Sequence, residues 1–282
     1  MKLNLFVAQL LCIFCSALFA QDLSTLTAED KSALEGIIVE KYYTADVLDS
    51  LDTKLPKGSV TYRIYADLKP NYFLQTIYGD ARHPLNIKTT TKFYNNPTCG
   101  ALIGYNVHYL TLNDDNFAFD SWITINSASS QYAGVLLTED TDGSVLKRKT
   151  FEKADGFAQG NLPMIKPFNL DINFFDNDTT ASHFTTDNGA WAAFSGIRCG
   201  ASGPTASNKI LIAQLTTDGV ISFDLSMQLG TPDGNSLRFV YKDAEPLEGE
   251  VLFAPLSLVE KKFEGKSKKK NNMLTAQSRT LF

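Results

Sequence analysis

The sequence is poor in the residues and motifs from which most catalytic sites are built. Its three histidines, His83, His108 and His183, are scattered, with no helical spacing and no cysteine pair beside them to make a zinc motif. It contains no Gly-x-Ser-x-Gly elbow, no Walker loop and no dinucleotide-binding fingerprint. Nucleophilic hydrolysis, phosphoryl transfer and hydride transfer therefore have no support. We expect a protein that is not an enzyme, with a carbohydrate-active enzyme as an alternative.

Long apolar runs are also missing, except at the amino terminus. A positively charged start is followed by an apolar stretch from Leu3 to Phe19, and Ala20 then precedes polar residues. This order is typical of a cleavable secretory signal. We predict a signal peptide over residues 1–20 and a protein that is secreted or held at the outer cell surface, with the periplasm as an alternative. No later run is long enough to predict a transmembrane span.

Cysteine is scarce once the signal is removed. Of four cysteines, Cys12 and Cys15 lie in the signal, so Cys99 and Cys199 remain. Two cysteines in an oxidising compartment predict one disulfide between them. Two free thiols or an intermolecular bridge are the alternatives.

Charge is uneven along the chain. Residues 260–282 hold seven basic and two acidic side chains, a net charge of +5 against −5 for the whole chain, so the rest carries about −10. An acidic body argues against a nucleic-acid partner. We predict that residues 259–282 form a basic disordered tail, and attraction to anionic lipid or polysaccharide is the alternative role.

The apolar pattern has the period of β-strands. Val60, Tyr62 and Ile64 alternate with Thr61 and Arg63, which predicts a strand with one buried and one wet face. Similar short stretches recur between turn residues. They predict an all-β fold, an antiparallel two-sheet sandwich of jelly-roll or immunoglobulin-like type, as a single domain over residues 35–258. A short helix capped by Thr27 is expected in the extension over residues 21–34.

The dipeptide Asp218-Gly219 gives the clearest turn signal. It separates two alternating stretches, residues 209–217 and 220–229, and both of its positions tolerate positive φ. We predict a tight hairpin there, with Ile221 and Phe223 of the second arm facing inward.

Aromatic and acidic residues supply the candidate sites. Trp122, with Asp120 and Thr124 on the same strand face, is the predicted ligand-binding group, because an exposed ring stacks on a sugar; Trp191 is expected in the core. Two acidic clusters predict structural Ca²⁺, although turn formation is the simpler interpretation of both. They consist of Asp46, Asp49 and Asp52, and of Asp176, Asn177 and Asp178. No other cofactor is expected.

Five segments resemble an uncharacterised β-rich module of secreted, gliding-type bacterial surface proteins. They are Gly36-Ile37-Ile38-Val39-Glu40-Lys41-Tyr42-Tyr43, Gly58-Ser59-Val60-Thr61-Tyr62-Arg63, Phe93-Tyr94-Asn95-Asn96, Gln214-Leu215-Thr216-Thr217-Asp218-Gly219 and Leu229-Gly230-Thr231-Pro232. The resemblance covers residues 35–242 and implies a surface module with no known activity. Where such proteins often continue into a β-rich sorting domain, this chain has the lysine-rich tail.

Together these features predict a non-catalytic β-sandwich for adhesion, binding a glycan or a protein partner at the bacterial surface. A hydrolase or lyase on a jelly-roll is one alternative. A structural subunit of a surface assembly is another.

Overall fold

The fold was analysed in a computed structural model. It describes residues 26–52, 55–97, 100–141, 143, 145–160, 162–171, 173–176, 178–195, 198–242, 246–258 and 273–276. The predicted signal peptide and most of the tail lie outside these residues, so both stay predictions.

The described residues are mainly β-strand, which confirms the all-β prediction. The strands are β1 (Leu34–Thr44), β2 (Val60–Leu68), β3 (Phe73–Gly79), β4 (Leu85–Thr89), β5 (Trp122–Ile123), β6 (Ala133–Gly134), β7 (Phe157–Ala158), β8 (Met164–Phe168), β9 (His183–Thr186), β10 (Gly189–Ser195), β11 (Arg198–Cys199), β12 (Lys209–Thr217), β13 (Ile221–Asp224), β14 (Ser226–Gly230), β15 (Ser236–Val240), β16 (Glu250–Leu252), β17 (Ser257–Leu258) and β18 (Met273–Ala276). The helices are α1 (Val47–Asp52) and α2 (Asp115–Ala118), with single 3₁₀ turns at Asp30–Ser32, Gly104–Asn106, Tyr109–Thr111, Lys149–Phe151 and Ala254–Leu256. No helix within the described ranges is long and apolar enough to cross a membrane.

Three sheets hold most of the strands. Sheet A has the order β18-β1-β2-β12-β5, and sheet B has the order β11-β10-β3-β14-β15-β16, with β8 also paired to β10. Sheet C has the order β17-β13-β4-β9, and β6 pairs with β7 in a small separate ladder. These ladders are antiparallel, apart from β15 and β16.

One large apolar core takes side chains from all three sheets. Ile37 of sheet A, Phe239 of sheet B and Phe223 of sheet C belong to it and are at most 2% exposed. Trp191 of β10 is 1% exposed in the same core, which confirms the prediction for that residue. Burial of such large side chains is the main favourable contribution to folding.

A second core covers the other face of sheet A. Ile38, Tyr65 and Leu211 point away from the main core and pack with Phe151 and Phe157, which come from the loop-rich segment between β5 and β8. We call residues 133–158 of that segment the loop layer. The prediction that β2 has a wet face is therefore wrong, because the loop layer covers it.

Polar residues on the covered face form a row across three strands. Glu40, Arg63 and Gln214 are cross-strand neighbours, and Arg63 is 0% exposed. Arg63 Nε donates to Gln214 Oε1 at 3.0 Å, and its Nη1 donates to the carbonyl oxygen of Gly156 at 2.7 Å. Its guanidinium lies 3.6 Å from the ring centroid of Tyr42. The row thus fastens the loop layer to sheet A.

The predicted hairpin at Asp218-Gly219 is wrong, although the inward face of its second arm is correct. β12 pairs with β2 and β5, whereas β13 pairs with β4 and β17 in sheet C. Neither Asp218 nor Gly219 has the positive φ of a tight hairpin turn. Instead, Thr91 donates to Asp218, and the Val220 amide donates to Thr90, so the chain crosses from sheet A to sheet C along the threonines after β4.

Both chain ends differ in part from expectation. Thr27 and Asp30 form the predicted reciprocal cap, but the helix is one 3₁₀ turn, and β1 already begins at Leu34. Residues 273–276, expected within a disordered tail, form β18 against residues 37–40 of β1.

Candidate functional site

The structure buries all three predicted ligand-binding residues. Trp122 and Asp120 are 1% exposed, and Thr124 is 0% exposed. The expectation that Trp122 presents its ring to a ligand is wrong, because its strand face lies under the second core rather than in solvent.

Asp120 has a structural role instead. Its carboxylate accepts hydrogen bonds from the backbone amides of Asn96 and Ala101, at 2.8 and 3.1 Å. Burial raises the pKa of Asp120 well above its ordinary value, against the lowering effect of these donors. The side chain fixes the loop before and after Cys99, a residue outside the described part of the chain.

Thr124 positions a segment that does reach a cavity. Its backbone oxygen accepts the indole N–H of Trp191 at 2.9 Å, and its hydroxyl donates to the carbonyl oxygen of Ser127 at 2.7 Å. These bonds link sheet B to the residues after β5. They hold Asn126, between the two bonded positions, in a fixed place.

The cavity lies where β3 begins and β10 ends, and it has a volume of about 370 Å³. Ligand pockets usually measure about 300–1,000 Å³, so it is large enough for a small molecule. The described residues that line it are all uncharged, and most of them are small: Phe73, Asn126, Gly160, Ser195, Gly200, Ala201, Ser202, Gly203 and Pro204.

Asn126 is the most informative lining residue. It is 1% exposed and has φ 74°, a conformation that asparagine tolerates better than most residues. Its Nδ2 donates to the carbonyl oxygen of Ser202 at 3.2 Å, whereas its Oδ1 has no hydrogen-bond partner among the described residues. Because a buried unpaired acceptor destabilises the fold, this oxygen would be stabilised by any hydrogen-bond donor that reached it.

Phe73 forms the aromatic part of the cavity lining. Its ring packs against Gly200 and Gly230, and a Cβ on Gly200 would lie 2.6 Å from Phe73 Cδ2. The two glycines therefore allow the ring to lie close to the backbone. Held in this way, a half-buried ring is a rigid apolar surface for a ligand.

The lining residues that the structure describes carry no charge. None of these nine residues carries an ionisable side chain. Lys209, which begins the strand after this segment, has its ammonium 2.6 Å from the Glu139 carboxylate, so the charge of this lysine is neutralised. An amide, hydroxyls and an aromatic ring suit an uncharged ligand with both hydroxyl groups and an apolar face.

The first predicted calcium cluster forms a turn and an ion pair. Asp49 accepts hydrogen bonds from Arg148, Tyr43 and the amide of Asp46, at 2.8, 2.9 and 2.6 Å. Asp46 accepts from the amide of Leu48. The side chain of Asp52 lies outside the described residues, and calcium at this cluster stays a prediction.

The second predicted calcium cluster lies in the loop after Phe175. Asp178 accepts two hydrogen bonds from Thr180, which lower the pKa of its carboxyl. Asp176 belongs to the same turn, and Asn177 is outside the described residues. Across the described ranges, no three His, Cys, Asp or Glu side chains are grouped as metal ligands.

The predicted disulfide stays a prediction. Cys199 is half-buried on β11, next to Gly200 of the cavity, and no disulfide is seen in the described part of the chain. Cys99 lies outside it.

Sequence reasoning missed Phe73 and Asn126. The available signal was the run of small residues from Cys199 to Pro204, which has no large side chain to fill its own space. An asparagine two residues beyond Thr124 was the second signal, because asparagine is enriched at positive φ.

In comparisons with known proteins, no family model, no curated protein and no solved structure matches the chain.

Proposed function

We propose that this chain is a non-catalytic binding protein of the bacterial surface, and that the cavity between Phe73 and Asn126 takes one neutral sugar unit. A pyranose combines hydroxyl groups with an apolar ring face. The amide oxygen of Asn126 accepts a sugar hydroxyl, and Phe73 stacks on the ring face. The observation that carries the proposal is the buried Oδ1 of Asn126, which has no hydrogen-bond partner in the part of the chain that the structure describes.

The chemistry of the cavity favours binding over hydrolysis. A glycosidase needs two carboxyl groups across the sugar bond. The nine lining residues within the described ranges supply none. Asp120, the carboxylate nearest to Asn126 in sequence, is buried and binds backbone amides. Adhesion through a glycan is therefore the preferred role, ahead of a hydrolase or lyase.

The location of the protein at the outer cell surface is part of the same proposal. Export through the amino-terminal signal brings the folded domain to the outer surface, where polysaccharides are the abundant ligands. The three sheets around one core are consistent with a sandwich of the jelly-roll or immunoglobulin-like kind.

The test is a glycan array that contains neutral and acidic sugars, followed by calorimetric titration of the mature chain with the neutral sugars that bind. Phe73→Ala and Asn126→Gly should each weaken binding by about tenfold or more, a change that corresponds to about 1.4 kcal/mol. Glycine keeps the positive φ of position 126 and removes the side chain together with its amide.

Matched controls separate binding from folding. Asn71→Gly makes the same change at an exposed asparagine with φ 72°, and Phe168→Ala removes a half-buried phenylalanine from β8. Both controls should bind as the parent does. Failure of every neutral sugar to bind, or equal losses in the controls, would overturn the proposed function.

A further inference from the structure

The outer face of sheet B meets the cavity at Phe73. Phe73 and Gln75 lie on the same side of β3, because a Cβ on Gly200 would approach both side chains, at 2.6 and 3.2 Å. Leu74, between them, faces the main core. A ligand that leaves the cavity beside Phe73 therefore meets Gln75 next.

A ladder of uncharged polar groups crosses this face. Gln75 Oε1 accepts from Gln228 Nε2 at 2.8 Å and from the Ser236 hydroxyl at 3.0 Å. The three residues stand on β3, β14 and β15, and each is partly exposed. Since neighbouring strands lie about 4.8 Å apart, the ladder spans about 10 Å.

A β-bulge gives Gln75 its special position. Gln228 is opposite Thr76 and Leu229 is opposite Leu74, so Gln75 is the additional residue on β3. Bulges redirect a side chain and often occur beside binding sites. Here the bulge brings the Gln75 amide oxygen within reach of two strands, and the amide nitrogen remains to donate to a ligand.

Charged side chains lie beyond the ladder, where two arginines share one carboxylate. Arg238 and Arg82 both contact the carboxylate of Glu250, at 3.7 and 3.0 Å. The ladder itself offers amides and a hydroxyl, the groups that pair with sugar hydroxyls without selecting a charge.

We propose that the ligand is a neutral, linear oligosaccharide whose end unit fills the cavity and whose next units lie across Gln75, Gln228 and Ser236. This inference rests on the proposed function and adds the class of ligand and its direction. Each unit beyond the first gains hydrogen bonds from the ladder, so affinity increases with chain length until the ladder is covered.

The experiment titrates the mature chain with cello-, manno- and galacto-oligosaccharides from the monosaccharide to the hexasaccharide. At least one series should gain about tenfold in affinity with length. The double variant Gln75→Ala/Gln228→Ala should lose that gain and keep the affinity for the monosaccharide. Gln131→Ala, at an exposed glutamine outside sheet B, is the control and should behave as the parent does.

The outcomes separate the two proposals. Monosaccharide binding that depends on Asn126, with no gain in affinity along any series, overturns the oligosaccharide inference and leaves the cavity as a site for one sugar. A length-dependent gain that the double variant retains also overturns it, because the chain then follows another path. Absence of all sugar binding overturns the proposed function itself.

Discussion

Replacement of Arg63 by methionine tests whether a buried charge holds the loop layer on sheet A. Methionine keeps an unbranched apolar stem, whereas it removes the hydrogen bonds to Gly156 and Gln214 and the contacts with the Tyr42 and Phe157 rings. Hydrogen bonds to a charged group contribute about 1.5–3 kcal/mol each, but such contributions are not additive.

The expected loss in the free energy of unfolding is about 4 kcal/mol. Two hydrogen bonds of this strength to the buried guanidinium amount to about 4 kcal/mol, which is a large part of the roughly 5–15 kcal/mol that stabilises a domain. With a urea m-value of about 2 kcal/mol/M, the midpoint should fall by about 2 M. Tryptophan fluorescence reports the transition, because Trp122 and Trp191 are both buried.

Two controls, a matched arginine and a double-mutant cycle, show which results would refute this role of Arg63. Arg82 pairs with Glu250 at a partly exposed position, so Arg82→Met should cost less than about 1 kcal/mol. Combining Arg63→Met with Glu40→Gln at pH 7 should show a coupling energy of about 1 kcal/mol or more, which becomes smaller as Glu40 is protonated. A loss below about 1 kcal/mol for Arg63→Met, or zero coupling, would refute the reasoning.

Three further predictions concern stability and the cysteines. Gly156→Ala should lower the free energy of unfolding, measured by urea titration, by about 1–3 kcal/mol. Position 156 has φ +71°, and the new Cβ would lie 2.6 Å from the buried Arg63 guanidinium. Gly143→Ala is the control and should cost less, because position 143 has φ +90° but open space around it. Burial raises the pKa of Glu40, so the folded chain binds the carboxyl proton of Glu40 more tightly than the unfolded chain does. The protein therefore loses stability as pH rises from 4.5, the ordinary value, through the raised pKa of the folded state. Glu40→Gln should therefore gain stability relative to the parent between pH 4.5 and 7, and a pH-independent difference would contradict this. Peptide mapping of the mature chain without reduction should find Cys99 linked to Cys199, whereas two alkylatable thiols would exclude the bridge.

Strand positions followed from the sequence more closely than strand partners did. The alternation of Ile221 and Phe223 correctly indicated their inward face, because that pattern depends on local geometry. The prediction of a hairpin at Asp218-Gly219 was wrong because threonines after β4, distant in sequence, form hydrogen bonds with that segment. These contacts outweigh the turn preference of two residues.

The covered face of sheet A could not be predicted from its own strands. Thr61 and Arg63 are polar at alternate positions, a pattern that indicates solvent exposure. Arg63 is nevertheless buried, because Gly156, a residue 93 positions away, accepts its hydrogen bond. The same limit applies to the cavity, where Phe73, Asn126 and Gly160 come from separate segments that only the folded chain brings together.

Arg63 and the cavity are connected through the chain. Arg63 holds the carbonyl oxygen of Gly156, and Gly160, four residues later, lines the cavity. Gly160 also has little freedom, since a Cβ on it would lie 3.3 Å from Ala133 of the loop layer. Loss of Arg63 should free the cavity wall at Gly160, so we expect Arg63→Met to weaken sugar binding. Binding is measured on folded protein in buffer without urea. Arg82→Met is the control and should bind as the parent does. A stable fraction of Arg63→Met that binds with the parent's affinity would show that the loop layer and the cavity wall are independent, and the cost of burying this arginine would then need another explanation.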